Sequence, residues 1–291
     1  MKEPRRHHHV PKYLLRGWAN ANEQVFALRR PADGTFVRPF LTKIDNVFSQ
    51  RDLYSVERDD GSLDQSVEIE FYSTVDDTGS ELRREVLERV RAGVIPNMTR
   101  EARRTFLDVF IRNTVTRSPE AFDGPVIRFE MEKAKEKAIQ QAAAAGASIE
   151  VQRALLDSPH VIDRIKRNAV AWARSRSGSE ALDQIERLGI LYARIDRPNC
   201  QFIVSDLLMD GAGLIDRDDD LGSHELWVPL APDVAIRLNG TSDAGVVIEP
   251  NSVRRINQRL YRQSTTVAAS SPDLLNSLAR EIDRAHWDAA R

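Results

Sequence analysis

The residues best suited to chemistry lie near the start of the chain, in the run Arg6-His7-His8-His9-Val10-Pro11. Histidine exchanges a proton near neutral pH and is a common metal ligand. Adjacent side chains of an extended chain point to opposite sides, so His7 and His8 are expected to take different roles. Three roles are open for them: structural, with the rings satisfying backbone groups; acid–base; or metal-binding, with the metal unidentified. The run continues directly into Val-Pro-Lys, which is not the form of an expression tag. His9 would precede or cap the next helix.

Ser205-Asp206 is the second candidate. A carboxylate at a strand end is a natural partner for a histidine, fixing its tautomer or holding a metal. The commoner use of Ser-Asp is an Asx-type turn that closes the strand. No Gly-x-Ser-x-Gly elbow surrounds Ser205, so it is read as substrate-binding rather than as a nucleophile. Arg16 and Arg117 would neutralise an anion such as phosphate, against the bland alternative of a solvated or ion-paired arginine. Asn251 is read both as a helix cap and as a substrate-binding residue. The acidic run Asp216, Asp218, Asp219, Asp220 lacks the glycine and distal glutamate of an EF-hand, so a solvated loop is expected. His160, His224 and His286 show no metal spacing. The basic residues of the helix from Arg100 to Arg117, and Arg164, Lys166 and Arg167, are interleaved with acidic ones.

These residues sit in a chain of 291, with 41% hydrophobic and 30% charged residues, enough apolar content for an ordinary core. Aromatics reach only 7%, which argues against a base-stacking surface spread over the whole protein. The net charge of -2 removes the simplest argument for a nucleic-acid binder, although a local basic groove fits inside such a balance. One cysteine, Cys200, excludes an internal disulfide framework and a cysteine-based zinc site. It reads as a small buried residue of a strand. Neither a secretory signal nor a run of about 20 apolar residues is seen, so a cytoplasmic, soluble protein without membrane attachment is expected.

The elements that must position the candidates emerge from periodicity. Pro11 to Ala19 reads as a short helix, with Pro11 in its first turn. Gln24–Leu28, Thr35–Phe40 and Leu53–Val56 read as strands, the first two joined by a turn at Ala32-Asp33-Gly34. Val67–Arg91 is helical, with a break or kink expected at Gly79. Thr99 caps the next helix, which ends near Arg117-Ser118-Pro119. Lys133–Ala145 is helical by propensity and stops at Gly146. From Gly189 the pattern changes to short β-rich pieces, among them Leu191–Ile195, Gln201–Val204, Leu226–Leu230, Ala235–Leu238 and Val246–Ile248. Two helices close the chain, one from Asn251 and one from Ser271-Pro272. The reading is α+β: an antiparallel sheet of N- and C-terminal strands, in one domain over 1–291, with 65–188 a helical insertion or subdomain packed beside it.

Several segments together resemble the domain of unknown function 4238 family. They are His7-His8-His9-Val10-Pro11 running into Leu14-Leu15-Arg16; Arg117-Ser118-Pro119; Phe202-Ile203-Val204-Ser205-Asp206; Val228-Pro229-Leu230-Ala231-Pro232; and Asn251 through Arg259-Leu260-Tyr261. The resemblance spans nearly the whole chain and rests on order and spacing. His9 departs from it where the family has an aromatic residue, and Leu207-Leu208 departs where the family often has a proline. The family supplies a frame without an activity, cofactor or metal.

The leading functional expectation is a phosphodiester hydrolase, nuclease-like. His7 or His8 would be base or acid, Asp206 would orient it or hold a metal, and Arg16 or Arg117 would neutralise phosphate. Its partner would be nucleic acid or a phosphate-bearing ligand. The alternative is a non-enzymatic binding or interaction module in which the histidine motif is structural. That alternative requires His7 and His8 to be buried and hydrogen-bonded to backbone. Whether the protein is an enzyme, and its oligomeric state, stay open at this stage.

Overall fold

The computed structural model describes residues 6–30, 37–58, 60–113, 117, 125–162, 164–165, 168, 179–207, 227–240 and 242–283. The turn at Ala32-Asp33-Gly34, the acidic run Asp216–Asp220, Ser118-Pro119, Lys166, Arg167, Leu208, His224 and His286 lie outside them. The chain forms two compact units.

The larger unit takes in His8–Ser49, Asp76–Ser118 and Gly178–Arg291. It contains two four-stranded sheets. In the first, β2 (Gln24–Arg29) lies between β3 (Phe40–Lys43) and β12 (Thr266–Ala269), and β12 also pairs with β8 (Val204–Ser205), all antiparallel. N-terminal strands therefore join C-terminal ones, as the sequence predicts. In the second sheet β7 (Gly189–Arg194) lies between β10 (Val234–Asn239) and β11 (Ala244–Val247), and β10 pairs with β9 (Trp227–Ala231). The pair β7–β11 is parallel. The single sheet expected from sequence is thus two, because period-2 alternation marks a strand without naming its neighbour.

Helices α7 (Pro250–Gln263) and α8 (Pro272–Ile282) cover these strands. Val253, Ile256 and Leu260 of α7 and Leu275 and Leu278 of α8 share a core with Leu28, Ala193, Phe202 and Val267. The start of α8 is the one expected: Ser271 Oγ accepts from Asp273 N at 3.2 Å and Pro272 fills the first position, where no N–H is needed. The short α1 (Lys12–Leu15) is pinned by the nearby Trp18, whose Nε1 donates to Phe202 O at 2.7 Å and whose carbonyl accepts from Ser270 Oγ at 3.0 Å.

Helix α2 (Ser73–Arg91) runs through Gly79 without a break. The glycine is there for closeness: a Cβ at residue 79 would overlap the Tyr13 hydroxyl. Arg83 and Arg91 fasten α2 to the second sheet. Arg83 Nε donates to Leu230 O at 2.6 Å, and Arg91 binds both oxygens of Asp233 at 2.7 Å. Helix α3 (Arg100–Leu107) starts at the Thr99 cap, as expected, and continues as a π-helical turn over Asp108–Arg112. Arg104 ties it to Asp183 and Glu186 of α6 (Ser179–Glu186), while Arg103 grips Asp243 and Leu188 O.

The smaller unit takes in Met1–His7, Gln50–Val75 and Pro119–Ser177. After β4 (Ser49–Arg51), β5 (Val56–Glu57) and β6 (Leu63–Asp64) form a small hairpin, shifted from the strand expected at Leu53–Val56. The reason is that Leu53 and Tyr54 are spent on a side-chain cluster with Tyr72, against which Val67 and Phe71 pack. Val67–Tyr72 is a π-helical turn leading into α2. Helix α4 (Pro125–Ala144) is longer than the propensity run from Lys133. Beyond it come Gly146 at φ 81° and then α5 (Ile149–Asp157). Asn168 caps the hairpin edge, accepting from Glu57 N at 2.8 Å.

Candidate functional site

The histidine motif lies on β1 (Arg6–His8) and the residue after it, and all three rings are buried. Strand alternation sends neighbouring rings to different partners. His7 Nδ1 accepts the backbone N–H of Tyr54 at 2.9 Å, and its ring stacks on Tyr54 with centroids 5.4 Å apart and planes 13° apart. An accepting Nδ1 puts the proton of the neutral ring on Nε2. His8 Nε2 lies 3.2 Å from Ile44 O, so it donates there and Nε2 again carries the proton. His9 holds its position through its own N–H, which donates to Phe48 O at 3.0 Å, and its ring meets Phe48 edge-on.

Burial drives the His8 pKa down from 6.5 to about 4. The Lys12 cation adds to the effect, and the bond to Ile44 and the Asp45 carboxylate oppose it. Lys12 and Asp45 are themselves joined at 2.5 Å, partly exposed. Arg117 also contributes to the field at His8. Its guanidinium is 2% exposed and its Nη1 donates to Asp76 at 2.6 Å. Buried Tyr13 and half-buried Asp76 and Arg83 complete this set: burial and Asp76 raise the Tyr13 pKa, and burial lowers that of Arg83 to about 10. The set belongs to the larger unit. It is a polar bracket between α1 and α2, in which Arg117 meets the Asp76 carboxylate and Arg83 the Leu230 carbonyl.

Asp206 is committed differently. Its Oδ2 accepts from Thr266 N at 2.8 Å, Thr265 N at 3.2 Å and the Thr265 hydroxyl, and its Oδ1 accepts from Leu207 N at 3.0 Å. Asp206 N donates to Thr266 O at 3.0 Å. This carboxylate closes the β8–β12 pairing. Ser205 Oγ donates to Leu207 O within the same turn. Arg16 forms a surface pair with Glu23 at 3.1 Å. Asn251 is exposed in the first turn of α7 and does not cap it. The cap position is Glu249, because Pro250 takes the first helical position.

A cleft of about 310 Å³ opens between residues 199–201, α7 and α8, with Cys200, Arg254, Asp273 and Glu281 in its lining. None of His7, His8, Arg16, Arg117, Ser205, Asp206 or Asn251 lines it. Burial raises the Cys200 thiol pKa, the opposite of what an activated nucleophile needs. Among the described residues no group of three His, Cys, Asp or Glu side chains is placed to hold a metal ion.

Two residues central to this geometry do not stand out in the sequence as candidates. Asn257, 2% exposed on the apolar face of α7, accepts from Ile203 N at 3.0 Å and donates to Gln201 O at 2.8 Å. It stands in for a neighbouring strand, which is why the expected strand Gln201–Val204 is reduced to Val204–Ser205. A polar residue inside the Val253-Ile256-Leu260 stripe is the signal that would have found it. Asp76, the partner of Arg117, lies 41 positions away and gives no such signal.

Residues 6–273 match the family described as "Protein of unknown function (DUF4238)". No curated protein and no solved structure shows a match.

Proposed function

The chain belongs to the domain of unknown function 4238 family, and we propose that it is a non-enzymatic binding or interaction module, with the histidine motif as an internal strut. One observation carries this reading. The His7 and His8 rings meet backbone groups, Tyr54 N–H and Ile44 C=O, and both residues are buried. A ring so placed satisfies a buried donor or acceptor that would otherwise go unmet. Asp206, bound to three backbone N–H groups and a hydroxyl, fits the same role. A cytoplasmic location belongs to this reading, because a lone cysteine needs no oxidising compartment.

The competing reading, a nuclease-like phosphodiester hydrolase using His7, His8 and Asp206, has one observation in its favour. His8 is held neutral at physiological pH, with Arg117 close enough to act on it. Purified protein incubated with labelled duplex and single-stranded nucleic acid separates the two. The strut reading expects no cleavage, and expects His7→Ala to lose about 1–3 kcal/mol of stability by stranding the Tyr54 N–H. Cleavage by the wild type that His8→Gln or Asp206→Asn abolishes at unchanged melting temperature would overturn it.

A further inference from the structure

We infer that β11 is a self-association edge, covered by β11 of a second copy of this chain paired antiparallel across a two-fold axis. The inference goes beyond the interaction-module reading and holds for an enzyme as well. Among the described residues, the two sheets of the larger unit end on β3, β8, β9 and β11. Three of these ends are shielded in the ways sheet edges commonly are. Strand β3 follows Pro39 and ends on Lys43, β8 is two residues long, and β9 is buried throughout and contains Pro229. The Ala-Gly-Val-Val of β11 has no charge and no proline, and it pairs with β7 in unbroken register. Gly245, Val246 and Val247 are exposed. Gly245 has no side chain, so its exposure is that of the backbone itself.

The ladder tells which backbone groups face outward. Ile248 N donates to Arg194 O at 2.9 Å, and alternate residues of a strand bond the same neighbour. Ala244 and Val246 therefore bond toward β7, and the N–H and C=O groups of Gly245 and Val247 point away from it. Ile95 stands over the Gly245 face, where a Cβ would meet it at 3.4 Å, and it adds exposed apolar surface beside the strand together with Val94.

The spacing of the outward residues selects the occupant. They are two positions apart, so an antiparallel strand of the same sequence sets Gly245 opposite Val247 of the second copy, and Val247 opposite its Gly245. Each pair exchanges two N–H···O bonds, and the two Val246 residues then meet as the close pair, with Cα atoms ~4.5 Å apart. This register also brings Glu249 of one copy opposite Asp243 of the other. Asp243 is joined to Arg103 at 2.6 Å, so a cation stands beside the point where the second carboxylate arrives. The pairing joins two four-stranded sheets into one of eight and closes on itself, so assembly stops at the dimer. A four-residue strand covers less than the ~800 Å² per partner of a stable interface, so the dimer is weak, forming at on the order of 10–100 μM.

The test is sedimentation velocity of the full chain from about 1 to 300 μM, at low salt and a pH above the isoelectric point. The wild type is compared with Val246→Lys, with Val246→Glu, with an equimolar mixture of these two, and with Ile149→Lys, which places a charge on an exposed apolar residue of α5. The wild type should pass from monomer to dimer and no further. Each Val246 variant alone should dimerise at least ~10-fold more weakly, because like charges face each other across the axis. Mixing the two should recover at least ~10-fold in affinity, since opposite charges then meet, and about 0.5 M salt should remove that gain. Ile149→Lys should stay within about twofold of the wild type, and circular dichroism checks that each variant keeps its fold. A wild type that is monomeric throughout overturns the inference and leaves the edge to a strand of another protein. Assembly past the dimer, undiminished dimerisation of Val246→Lys, an equal loss in Ile149→Lys, or a mixture no tighter than its components overturns it as well.

Discussion

At the scale of the residue, His8 is the most consequential position, because its protonation is coupled to folding. Its folded pKa of about 4 lies below the ordinary 6.5, so between these values the unfolded chain binds a proton that the folded chain refuses. The stability this residue contributes is therefore complete above pH 6.5 and is lost as pH falls toward 4, a total of roughly 3 kcal/mol. Denaturant unfolding between about pH 8 and 4 should show that decline. His8→Gln keeps a donor for Ile44 O but cannot take up a proton, and it should flatten the slope; an unchanged slope would mean that another group is responsible. Lys12 and Arg117 act in the same direction as burial and Asp45 against it, so the environment resists a second positive charge.

At the scale of the element, the ends of helices and strands are closed by side chains from far along the chain. Arg30, just beyond β2, donates to the carbonyls of Tyr261 and Arg262 in the last turn of α7, reaches Asp283 after α8 at 3.3 Å, and lies over the Tyr261 ring at 4.8 Å. Carbonyls at a helix C-terminus are unsatisfied within the helix and carry its negative end, so a cation there is doubly suited. Arg30→Met should cost about 2 kcal/mol and speed amide exchange in the last turn of α7 while leaving α3 as protected as before. Hydrogen-exchange mass spectrometry measures both. Asp206 does for β8 and β12 what Arg30 does for α7, so the same device of a charged side chain on backbone groups serves both a strand pair and a helix end.

At the scale of the whole molecule, charge is balanced in total and uneven in place. With 42 basic and 44 acidic residues and a pI near 6.3, the protein has little self-repulsion at neutral pH. Turbidity against pH at low salt should peak close to pH 6.3 and fall on either side. A solubility minimum well away from that value would show that local patches dominate association. Val94, Ile95, Val246 and Val247 are each at least 40% exposed, and Ile95 lies against Gly245 of edge strand β11, so apolar surface is available when repulsion is weakest. Among the described residues no helix is long and apolar enough to cross a membrane.

Local order was legible without the structure wherever a physical rule acts within a few residues. The Thr99 and Ser271-Pro272 helix starts, the stop at Gly146, the apolar stripes of α7 and α8 and the union of N- with C-terminal strands all come from capping, backbone freedom and periodicity. The family frame was legible too, because it rests on the order of short motifs. Only the tertiary structure decided which side chains share a partner. Gly79 has the sequence context of a helix breaker and is a seat for the Tyr13 hydroxyl. Arg117 has the look of an anion-binding group and is itself buried, paired with the half-exposed Asp76. Asn257 is one polar residue among many in the sequence and replaces a strand in the fold. The histidine motif was recognisable from residue types alone, but its chemistry was not. A histidine's pKa and tautomer are set by burial and by the group opposite each ring nitrogen, and those groups, Tyr54 and Ile44, are supplied by chain 47 and 36 positions away.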